Sequence, residues 1–483
     1  MDTERTDADA ISFGTDGWRA PLGEFTDRRL RLVARAIADH LRAEETDGPV
    51  AVGYDARESS PGFAETVAET LAGEGFDVLF PERDVPTPVI AHAVVDRGCA
   101  GAVVITASHN PPEYNGVKFI PDDGAPALPA VTDDIESRLG EAPGTTGERE
   151  DGRIRRFDPI EPHRRAVRRI VDADLDGVAV VYDAMHGSGR GVTDALLSAA
   201  GATVIRRRCS RDPDFGGGGP DPVPERLGGL VADVREQDAD LGIANDGDAD
   251  RIAIVTPEGH LDANRFFAAT YEALLSEDVL DSPGDGDRDV AAAAKSGERG
   301  VVRTVSSTFL IDRIAEAHGE SVREVPVGFK WVAEAMADGG VIFGGEESGG
   351  FTVRGHVREK DGVLMALLAA AVTAAEPYDT RVDRLFDAHG EIHTARRNVD
   401  CPDDRKDAVL AELEGAVPEA VAGEPVDRVV TLDGFKLLLA DGSWVLVRPS
   451  GTEPKLRVYA EADAADRAAE LAGAGEALVD SLR

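Results

Sequence analysis

Lysine is scarce in this sequence. Of its 52 basic residues only seven are lysine and 45 are arginine, against 91 acidic residues and a formal net charge of −39. A field of this sign repels phosphate backbones, which argues against nucleic acid or an anionic membrane as the main partner. Many carboxylates with few lysines are typical of a protein from a halophile, because about 1 M salt shortens the Debye length to ~3 Å and screens surface repulsion.

Cysteine and long apolar runs are scarce too. Cys99, Cys209 and Cys401 are far apart and odd in number, which excludes a disulfide framework and a cysteine metal site, so we expect reduced, structural thiols. The most apolar stretch, 364–375, is shorter than the about 20 residues that span a bilayer. The first ten residues, MDTERTDADA, lack the basic and apolar regions of a signal peptide. We therefore expect a soluble, cytoplasmic protein.

The few lysines are informative where they do occur, because arginine cannot supply a compact ammonium that loses its proton. Four of them lie in or near polar loops: Lys118, Lys330, Lys360 and Lys455. The other three fit chance survival: Lys295, Lys406 and Lys436.

Short β-branched runs alternate with longer stretches of helical period, which predicts α/β units with mixed, mainly parallel sheets. The clearest predicted strands are 50–54, 100–106, 178–182, 241–244, 252–256, 301–305 and 341–343. The last part of the chain predicts antiparallel strands and a C-terminal helix. We expect three consecutive α/β domains and a C-terminal α+β domain around one central cleft, with bounds 1–155, 156–256, 257–377 and 378–483.

The loop after the predicted strand 241–244 carries carboxylates at every second position, Asp246, Asp248 and Asp250. Such a trio can converge on one hard cation and leave room for phosphate oxygens, as Mg²⁺ usually requires. An EF-hand is excluded, because its sixth and twelfth positions would be Arg251 and Pro257. A solvated acidic turn is the alternative.

The loop Thr106-Ala107-Ser108-His109-Asn110-Pro111 follows a predicted buried strand. Ser108 beside His109 could be a nucleophile with a base nearby. The glycines of the hydrolase GxSxG turn are absent. A capping serine in a polar turn is the alternative and is favoured if this loop is considered alone.

Two later loops have ligand-binding chemistry. In RPSGTEP (448–454), Arg448 offers a bidentate fork, and Ser450, Gly451 and Thr452 offer hydroxyl and backbone donors, which suits a phosphate dianion that Arg457 could also reach. In GGEESGG (344–350), two carboxylates and a hydroxyl could bind sugar hydroxyls. Plain turns are the alternative for both.

Two nucleotide-binding patterns are excluded. HGSGRG (186–191) follows a strand, but Val192 stands where the third glycine of a dinucleotide loop belongs, and Arg207 stands near the place of its acidic ribose ligand. GxxxxGK[ST], the P-loop of ATP-binding proteins, does not occur.

Together the motifs resemble those of the α-D-phosphohexomutases, the phosphoglucomutase/phosphomannomutase superfamily. Nine segments carry the resemblance in the family's order: FGTDGWRA (13–20), GYDARESS (53–60), TASHNP (106–111), NGVK (115–118), NDGDADR (245–251), VGFK (327–330), GGEESGG (344–350), REKDG (358–362) and RPSGTEPK (448–455). Together with the acidic, lysine-poor composition, this resemblance suggests a protein of a halophilic archaeon.

The resemblance implies that Ser108 is phosphorylated and that one Mg²⁺ per chain is bound by Asp246, Asp248, Asp250 and a phosphate oxygen on Ser108. It implies a hexose 1,6-bisphosphate as intermediate and activator. The other expected site residues divide by role: Arg19, His109, Lys118 and Lys360 at the reacting end, with Arg251, Gly328, Lys330 and His356 nearby; Glu346 and Ser348 on sugar hydroxyls; Arg448, Ser450, Gly451, Thr452 and Arg457 on the second phosphate.

GEESGG resembles the sugar loop of phosphoglucomutases more than the GEMSGH of dual phosphomannomutase/phosphoglucomutases or the GEQSGH of the glucosamine phosphate branch. Phe329 stands where the dual-specificity group often has histidine, which puts more weight on Lys360 as base. We expect glucose phosphate, then mannose phosphate, as substrate, and a monomer or weak homodimer. A sugar-phosphate-binding regulator and a metal-dependent phosphatase are the alternatives.

The charge composition makes a prediction about salt. In dilute buffer, repulsion among the carboxylates should destabilise the fold, and salt should relieve it. The midpoint of thermal unfolding is expected to rise steadily as KCl is raised from about 0.05 M to about 2 M. Full stability in low-salt buffer without divalent ions would contradict the prediction.

Overall fold

The computed structural model describes residues 6–14, 17–140, 150–277, 279–280, 299–451 and 453–482. Their strands form four sheets, which follow one another along the chain. The first three are mixed and the fourth is antiparallel, as the sequence predicted. The domain bounds stay a prediction.

The first sheet has the strand order β1-β5-β4-β2-β3-β6, in which β4, β2, β3 and β6 are parallel. The central strands β2 and β4 are buried along their whole length, which explains their continuous apolar runs. Its strands are β1 (Trp18–Pro21), β2 (Val50–Tyr54), β3 (Val78–Pro81), β4 (Gly101–Ile105), β5 (Tyr114–Pro121) and β6 (Ile154–Phe157). Its helices are α1 (Asp27–Ala43), α2 (Ser60–Gly73), α3 (Thr87–Arg97) and α4 (Pro129–Ser137).

The second sheet has the order β11-β10-β9-β7-β8, with β10 and β11 antiparallel to their neighbours. The bounds of β10 are those predicted from the sequence. Its strands are β7 (Ala179–Asp183), β8 (Thr203–Arg207), β9 (Leu241–Asn245), β10 (Ile252–Thr256) and β11 (Gly259–Leu261). Its helices are α5 (Ile160–Ile170), α6 (Thr193–Ala199) and α7 (Gly228–Glu236).

The third sheet has the order β13-β12-β14-β15, with β15 antiparallel at one edge. Its strands are β12 (Gly300–Thr304), β13 (Val322–Val325), β14 (Val341–Gly345) and β15 (Phe351–Val353). The neighbouring helices are α8 (Ala263–Ser276), α9 (Leu310–His318), α10 (Phe329–Ala335), α11 (Gly362–Ala375) and α12 (Tyr378–His389).

The fourth sheet has the order β16-β21-β20-β19-β18-β17. The predicted stretch 426–439 is a hairpin that turns at Gly434, where φ is +84°. Its strands are β16 (His393–Asp400), β17 (Ala420–Val421), β18 (Glu424–Val430), β19 (Phe435–Leu439), β20 (Trp444–Pro449) and β21 (Lys455–Ala462). Its helices are α13 (Asp403–Gly415) and α14 (Ala465–Asp480).

One apolar core runs through the first three units, and the fourth unit has its own. The shared core includes Ala51 and Val104 of the first sheet, Val180 of the second and Phe343 of the third. Helix α11 is apolar all round because nearly all of its residues are buried in this core. Among the described residues, no helix is long and apolar enough to cross a membrane.

Lys436, on β19, joins the fourth unit to the third. Its Nζ donates to the carbonyl oxygen of Val305 (2.7 Å) and to Glu324 (3.3 Å). The same atom lies 4.0 Å from the ring centroid of Phe309 and 4.2 Å from that of Trp444. Burial lowers the pKa of Lys436 to about 8. This lysine is thus a buried contact between units, not a chance survivor.

This contact makes stability depend on pH. An unfolded lysine has a pKa of about 10.4, so between about pH 8 and pH 10.4 the unfolded chain binds more protons than the folded chain, and the lysine's contribution to stability rises with pH. Below this window both states are protonated and the contribution is constant. Lys436→Met should remove the dependence.

The urea midpoints of wild type and Lys436→Met, measured from about pH 7.5 to about pH 10, test this. The wild-type midpoint minus that of the variant is expected to increase with pH. The same subtraction with Lys455→Met, at a half-buried lysine of the same unit, should be flat. A flat difference for Lys436→Met would contradict the assignment.

Candidate active site

Three polar loops meet where strands of the first three sheets end. The serine loop (106–111) follows β4, the metal loop (245–251) joins β9 to β10, and the sugar loop (344–350) joins β14 to β15. Ser108 Oγ donates to Asp246 Oδ2 at 2.6 Å. The backbone N–H of Ile252 donates to the carbonyl oxygen of Gly349 at 2.9 Å. The structure therefore brings the three predicted loops into one site.

Ser108 is buried and has a left-handed backbone, with φ of +51°. Non-glycine residues adopt this conformation when their surroundings enforce it, often at functional sites. Its N–H donates to Thr106 Oγ1 at 2.8 Å. A Cβ at Gly247 would lie 2.5 Å from the carbonyl oxygen of Ser108, so glycine is required at position 247. The serine is held in one position against the metal loop.

Arg57 holds the serine loop from behind and was not predicted as a site residue. Its fully buried guanidinium donates to Asp55 and to four backbone carbonyl oxygens. These belong to Ser108 (2.9 Å), Asn110 (2.7 Å), Pro111 (2.6 Å) and Tyr114 (3.1 Å). One side chain thus orders the backbone of the serine and of the residues that follow it.

The carboxylates of Asp246, Asp248 and Asp250 are buried and offer oxygens within 4.8 Å of one another. Burial, followed by the charges of Asp250 and Asp248, raises the pKa of Asp246 well above its usual range. Burial also raises the pKa of Asp248, but Lys118 and Thr87 outweigh it and hold that pKa below its usual range. Three buried carboxylates this close require positive charge.

The donor set fits a hard divalent cation. Asp248 Oδ1 and Asp250 Oδ1 are buried and have no hydrogen-bond partner in the described part of the chain. Leaving a buried carboxylate oxygen unpaired is costly, and a cation bound there would satisfy both atoms. The loop joins two antiparallel strands, so the structure agrees that it is not an EF-hand.

Two predicted lysines contact these carboxylates. Lys118, on β5, donates to Asp248 (3.1 Å) and Asp250 (3.0 Å). Lys360, just before α11, lies 3.1 Å from Asp250. Both ammonium groups are buried and compensate part of the negative charge.

His109 and Arg19 lie beside the serine. His109 Nδ1 is 3.3 Å from Ser108 Oγ. Burial, with Arg251 and Arg19 nearby, lowers the pKa of His109 well below its usual range, so its ring is uncharged at neutral pH. Arg19 donates to Asn110 Oδ1 at 3.3 Å. Both predicted residues are therefore at the site.

The sugar loop directs one buried carboxylate toward the same region. Glu346 accepts from the N–H of Gly328 (2.9 Å) and from the hydroxyl of Ser348 (3.3 Å), and Ser348 is exposed. Burial raises the pKa of Glu346, and Lys360 opposes the shift. Lys330, in α10, contacts the ring of Trp331 (5.8 Å).

The structure places His356 elsewhere. Its Nε2 lies 2.7 Å from Asp361 Oδ2, and its side chain is 1% exposed in a group with His163 and His92. A role of His356 in substrate binding stays a prediction.

The fourth unit meets the third near the sugar loop. Burial and then the Glu347 carboxylate raise the pKa of Tyr459 on β21, and Arg448 and Arg457 oppose the shift, so Glu347 and Tyr459 interact electrostatically. Asp433 accepts from Arg448 Nε (2.9 Å) and from the N–H of Val327 (3.0 Å) in the third unit.

Two polar atoms of the predicted phosphate-binding residues lack a hydrogen-bond partner in the described part of the chain. Ser450 Oγ and Arg457 Nε are buried without a partner in the described residues. Gly451 is exposed, and Thr452 lies outside the described residues. Lys406 Nζ holds the loop by donating to the carbonyl oxygens of Ser450 and Glu453, both at 2.6 Å, so it too is no chance survivor.

Two further supports of the metal loop were missed from the sequence. Thr87, at the start of α3, donates its hydroxyl to Asp248 (2.7 Å) and its N–H to the carbonyl oxygen of the same residue (2.9 Å). Ser188, in the excluded dinucleotide-like loop, donates its N–H and hydroxyl to the carbonyl oxygen of Gly247 (2.9 and 3.1 Å). The glycines of that loop allow its backbone to approach the metal loop closely. In the sequence, these glycines were the signal that could have indicated the contact.

Comparisons with known proteins agree with this architecture. Four segments match phosphoglucomutase/phosphomannomutase families: alpha/beta/alpha domain I over 10–143, domain II over 162–259, domain III over 286–389 and the C-terminal domain over 397–475.

Individual relatives match along the whole chain. The "Probable phosphoglucosamine mutase" of Methanopyrus kandleri is 35% identical over 463 residues, 95% of each chain. The phosphoglucomutase of Komagataeibacter xylinus is 31% identical over 93% of this chain and 87% of its own. A crystal structure of a phosphoglucomutase/phosphomannomutase family protein from Burkholderia thailandensis has the same fold, with a TM-score of 0.81 at 22% identity and 98% of each chain covered.

Four such domains define the α-D-phosphohexomutases, whose named relatives above are mutases, enzymes of the isomerase class. This chain belongs to the phosphoglucomutase/phosphomannomutase family.

The contacts of Arg57 predict a large effect of Arg57→Lys. Arginine presents five N–H donors and lysine only three, so at least two buried acceptors lose their partner. Each such loss costs about 1–3 kcal/mol. We expect a lower urea midpoint and faster amide hydrogen exchange in 108–114. Arg155→Lys, at an exposed arginine, should change neither. Unchanged exchange in Arg57→Lys would contradict the role.

Proposed function

We propose that the protein interconverts hexose 1-phosphates and hexose 6-phosphates, with glucose phosphate preferred, through a phosphoserine at Ser108 and a hexose 1,6-bisphosphate. One observation carries the proposal: Ser108 Oγ lies 2.6 Å from Asp246, within a cluster of three buried carboxylates and two lysines. A serine that only caps a turn does not require buried charged groups around its hydroxyl.

Asp246, Asp248 and Asp250 are the residues that would hold one Mg²⁺, together with an oxygen of the phosphate on Ser108. When bound, the ion neutralises charge on the phosphoryl oxygens. Arg19, Arg251, Lys118 and Lys360 surround the same position and add positive charge there, which is what phosphoryl transfer requires. Asp248 Oδ1 and Asp250 Oδ1, which have no hydrogen-bond partner where the structure describes the chain, support this ligand set.

In the forward step the P–O bond to Ser108 Oγ breaks, and a P–O bond forms to the free hydroxyl of the sugar. The hydroxyl proton passes to a base and finally to Ser108 Oγ, so that phosphoserine and sugar monophosphate become serine and bisphosphate. We favour Lys360 as the base, after its ammonium has lost its own proton, with Lys118 and His109 as alternatives. His109, uncharged and 3.3 Å from Oγ, is also placed to hold the serine hydroxyl in line.

The sugar and its second phosphate would bind to the remaining loops. Glu346 and Ser348 accept and donate hydrogen bonds to sugar hydroxyls, beside Gly328 and Lys330. Arg448, Ser450, Gly451 and Thr452, with Arg457, hold the phosphate that does not react. Ser450 Oγ and Arg457 Nε, which are buried and lack a hydrogen-bond partner among the described residues, support this grip.

The bisphosphate must turn end for end before its other phosphate returns to Ser108. The phosphate grip must therefore accept either phosphate, and a fourth unit that closes and reopens would allow this. Its separate core, joined to the third unit by a small apolar cluster and individual polar contacts such as the Asp433–Val327 hydrogen bond, supports such a motion. We propose a monomer or weak homodimer as the working form.

Glucosamine phosphate is a second candidate substrate. The name of the Methanopyrus kandleri relative favours it. The sugar loop also supplies a second carboxylate, Glu347, half-buried and bonded to Thr304 Oγ1 at 3.1 Å, which could pair with a sugar ammonium. Mannose phosphate remains the alternative among neutral sugars.

Ser108→Ala should abolish turnover, by more than about 10³-fold in kcat, because no other group there can carry the phosphoryl group. Binding of glucose 1,6-bisphosphate should persist, since the other loops are unchanged. Coupled assays and calorimetry measure the two effects, and mass spectrometry should find phosphate on Ser108 of the wild type. Ser137→Ala, at an exposed serine, is the control. Retained turnover in Ser108→Ala would refute the proposal.

Glu347→Gln distinguishes the two sugars. If glucosamine phosphate is the substrate, kcat/KM for glucosamine 1-phosphate should fall roughly tenfold more than that for glucose 1-phosphate, because an ammonium loses its charged partner. If glucose phosphate is the substrate, both values should change equally. Glu334→Gln, at an exposed glutamate, should leave both unchanged. Steady release of inorganic phosphate from glucose 1-phosphate would instead indicate a phosphatase.

A further inference from the structure

Three histidines and one aspartate meet in the interior, apart from the side chains of the proposed reaction. They come from the first three units of the chain: His92 on α3, His163 on α5, and His356 with Asp361 between β15 and α11. Three of the ten histidines of the chain are thus gathered around one carboxylate.

His163 and His356 share one carboxylate oxygen of Asp361. Asp361 Oδ2 lies 2.6 Å from His163 Nε2 and 2.7 Å from His356 Nε2. The ligand atoms of the three side chains are all within 4.8 Å of one another. All three side chains are at most 1% exposed. Three potential ligand atoms therefore converge in a small, buried volume.

The carboxylate is oriented from its other side. Asp361 caps α11, and its Oδ1 accepts from the N–H groups of Val363 (2.9 Å) and Leu364 (2.8 Å). These bonds direct Oδ2 toward the imidazoles. Metal-binding carboxylates are commonly fixed by such outer hydrogen bonds.

His92 borders the group, and one nitrogen of its ring lacks a hydrogen-bond partner among the described residues. Its ring centroid lies 5.6 Å from that of His163 and 6.1 Å from that of His356. The Nδ1 atoms of His92 and His163 are buried and have no hydrogen-bond partner within the described part of the chain. The local hydrogen bonds therefore do not account for all the imidazole nitrogens.

We propose that His163, His356 and Asp361 form a second metal site, separate from the three aspartates, which binds a borderline divalent ion such as Zn²⁺ or Co²⁺. Two imidazoles and one carboxylate are the ligands of many zinc sites, whereas Mg²⁺ takes oxygen ligands. His92 borders the site and is a candidate fourth ligand.

A metal bound there would connect the first three units at one point. Helix α3 carries both His92 and Thr87, which bonds to Asp248, and Asp361 directly follows Lys360. The ion would thus stabilise the framework around the reaction site without contacting the substrate. This role does not depend on which sugar is bound, or on whether the mutase proposal holds.

The experiment titrates the full-length, chelator-treated protein with Co²⁺ in excess Mg²⁺, which occupies oxygen-ligand sites. We expect one equivalent of Co²⁺ per chain that Mg²⁺ does not displace, with visible absorption typical of imidazole ligation. His163→Gln and His356→Gln should each weaken Co²⁺ binding at least tenfold. His393→Gln, at a partly exposed histidine, should not.

X-ray absorption of the Co²⁺-loaded wild type gives a readout that needs no variant, should His163→Gln or His356→Gln fail to fold. Scattering from two or more imidazoles supports the site. Oxygen-only ligation, displacement of Co²⁺ by Mg²⁺, or unchanged binding in the folded His356→Gln variant overturns it. Loss of mutase turnover in Ser108→Ala has no bearing on these outcomes.

Discussion

Three carboxylates are buried side by side against one serine, and the rest of the structure serves to make this arrangement stable. Left alone, Asp246, Asp248 and Asp250 would repel one another and lose hydration, which is among the most costly arrangements in a protein interior. Lysines from two other units, a helix start at Thr87 and the serine hydroxyl itself share the charge. Because these partners come from different sheets, the site exists only when the first three units are packed together, and their common apolar core ensures that packing.

The fourth unit follows a different principle. It keeps a core of its own and meets the third unit through a small apolar cluster and a few buried polar groups, among them Lys436 and Glu461. Polar contacts of this kind fix the relative orientation of the two units. Separating the units costs less free energy than it would with a large apolar interface. A rigid reaction centre and a more easily separated phosphate-binding unit are therefore built into one chain by the distribution of its apolar residues.

Much of this could be predicted from the sequence, because fully buried parallel strands appear as continuous apolar runs and polar loops collect at their ends. Strands 50–54 and 252–256 have their predicted bounds, and Ser108, Lys118 and the three aspartates meet as expected. Arg57 could not be predicted, since its carbonyl partners lie 51 to 57 residues away in the chain. Helix α3 is buried on nearly every side from Thr87 to Val94, so no helical period reveals it. The place of His356 depends on Asp361, which also binds His163 of the second unit, 198 residues away in the chain, and no local pattern links the two histidines.

The scarcity of lysine has a practical consequence once the structure is known. Of the six lysines in the described residues, Lys118, Lys360, Lys406 and Lys436 are buried, and Lys330 and Lys455 are half-buried. In the described part of the chain the lysine amines are thus concentrated inside the molecule, beside the three aspartates, under the phosphate loop and between units. Amine-selective covalent reagents should reach the four buried lysines mainly when the cleft or the joint to the fourth unit opens, so these side chains are built-in chemical reporters of opening.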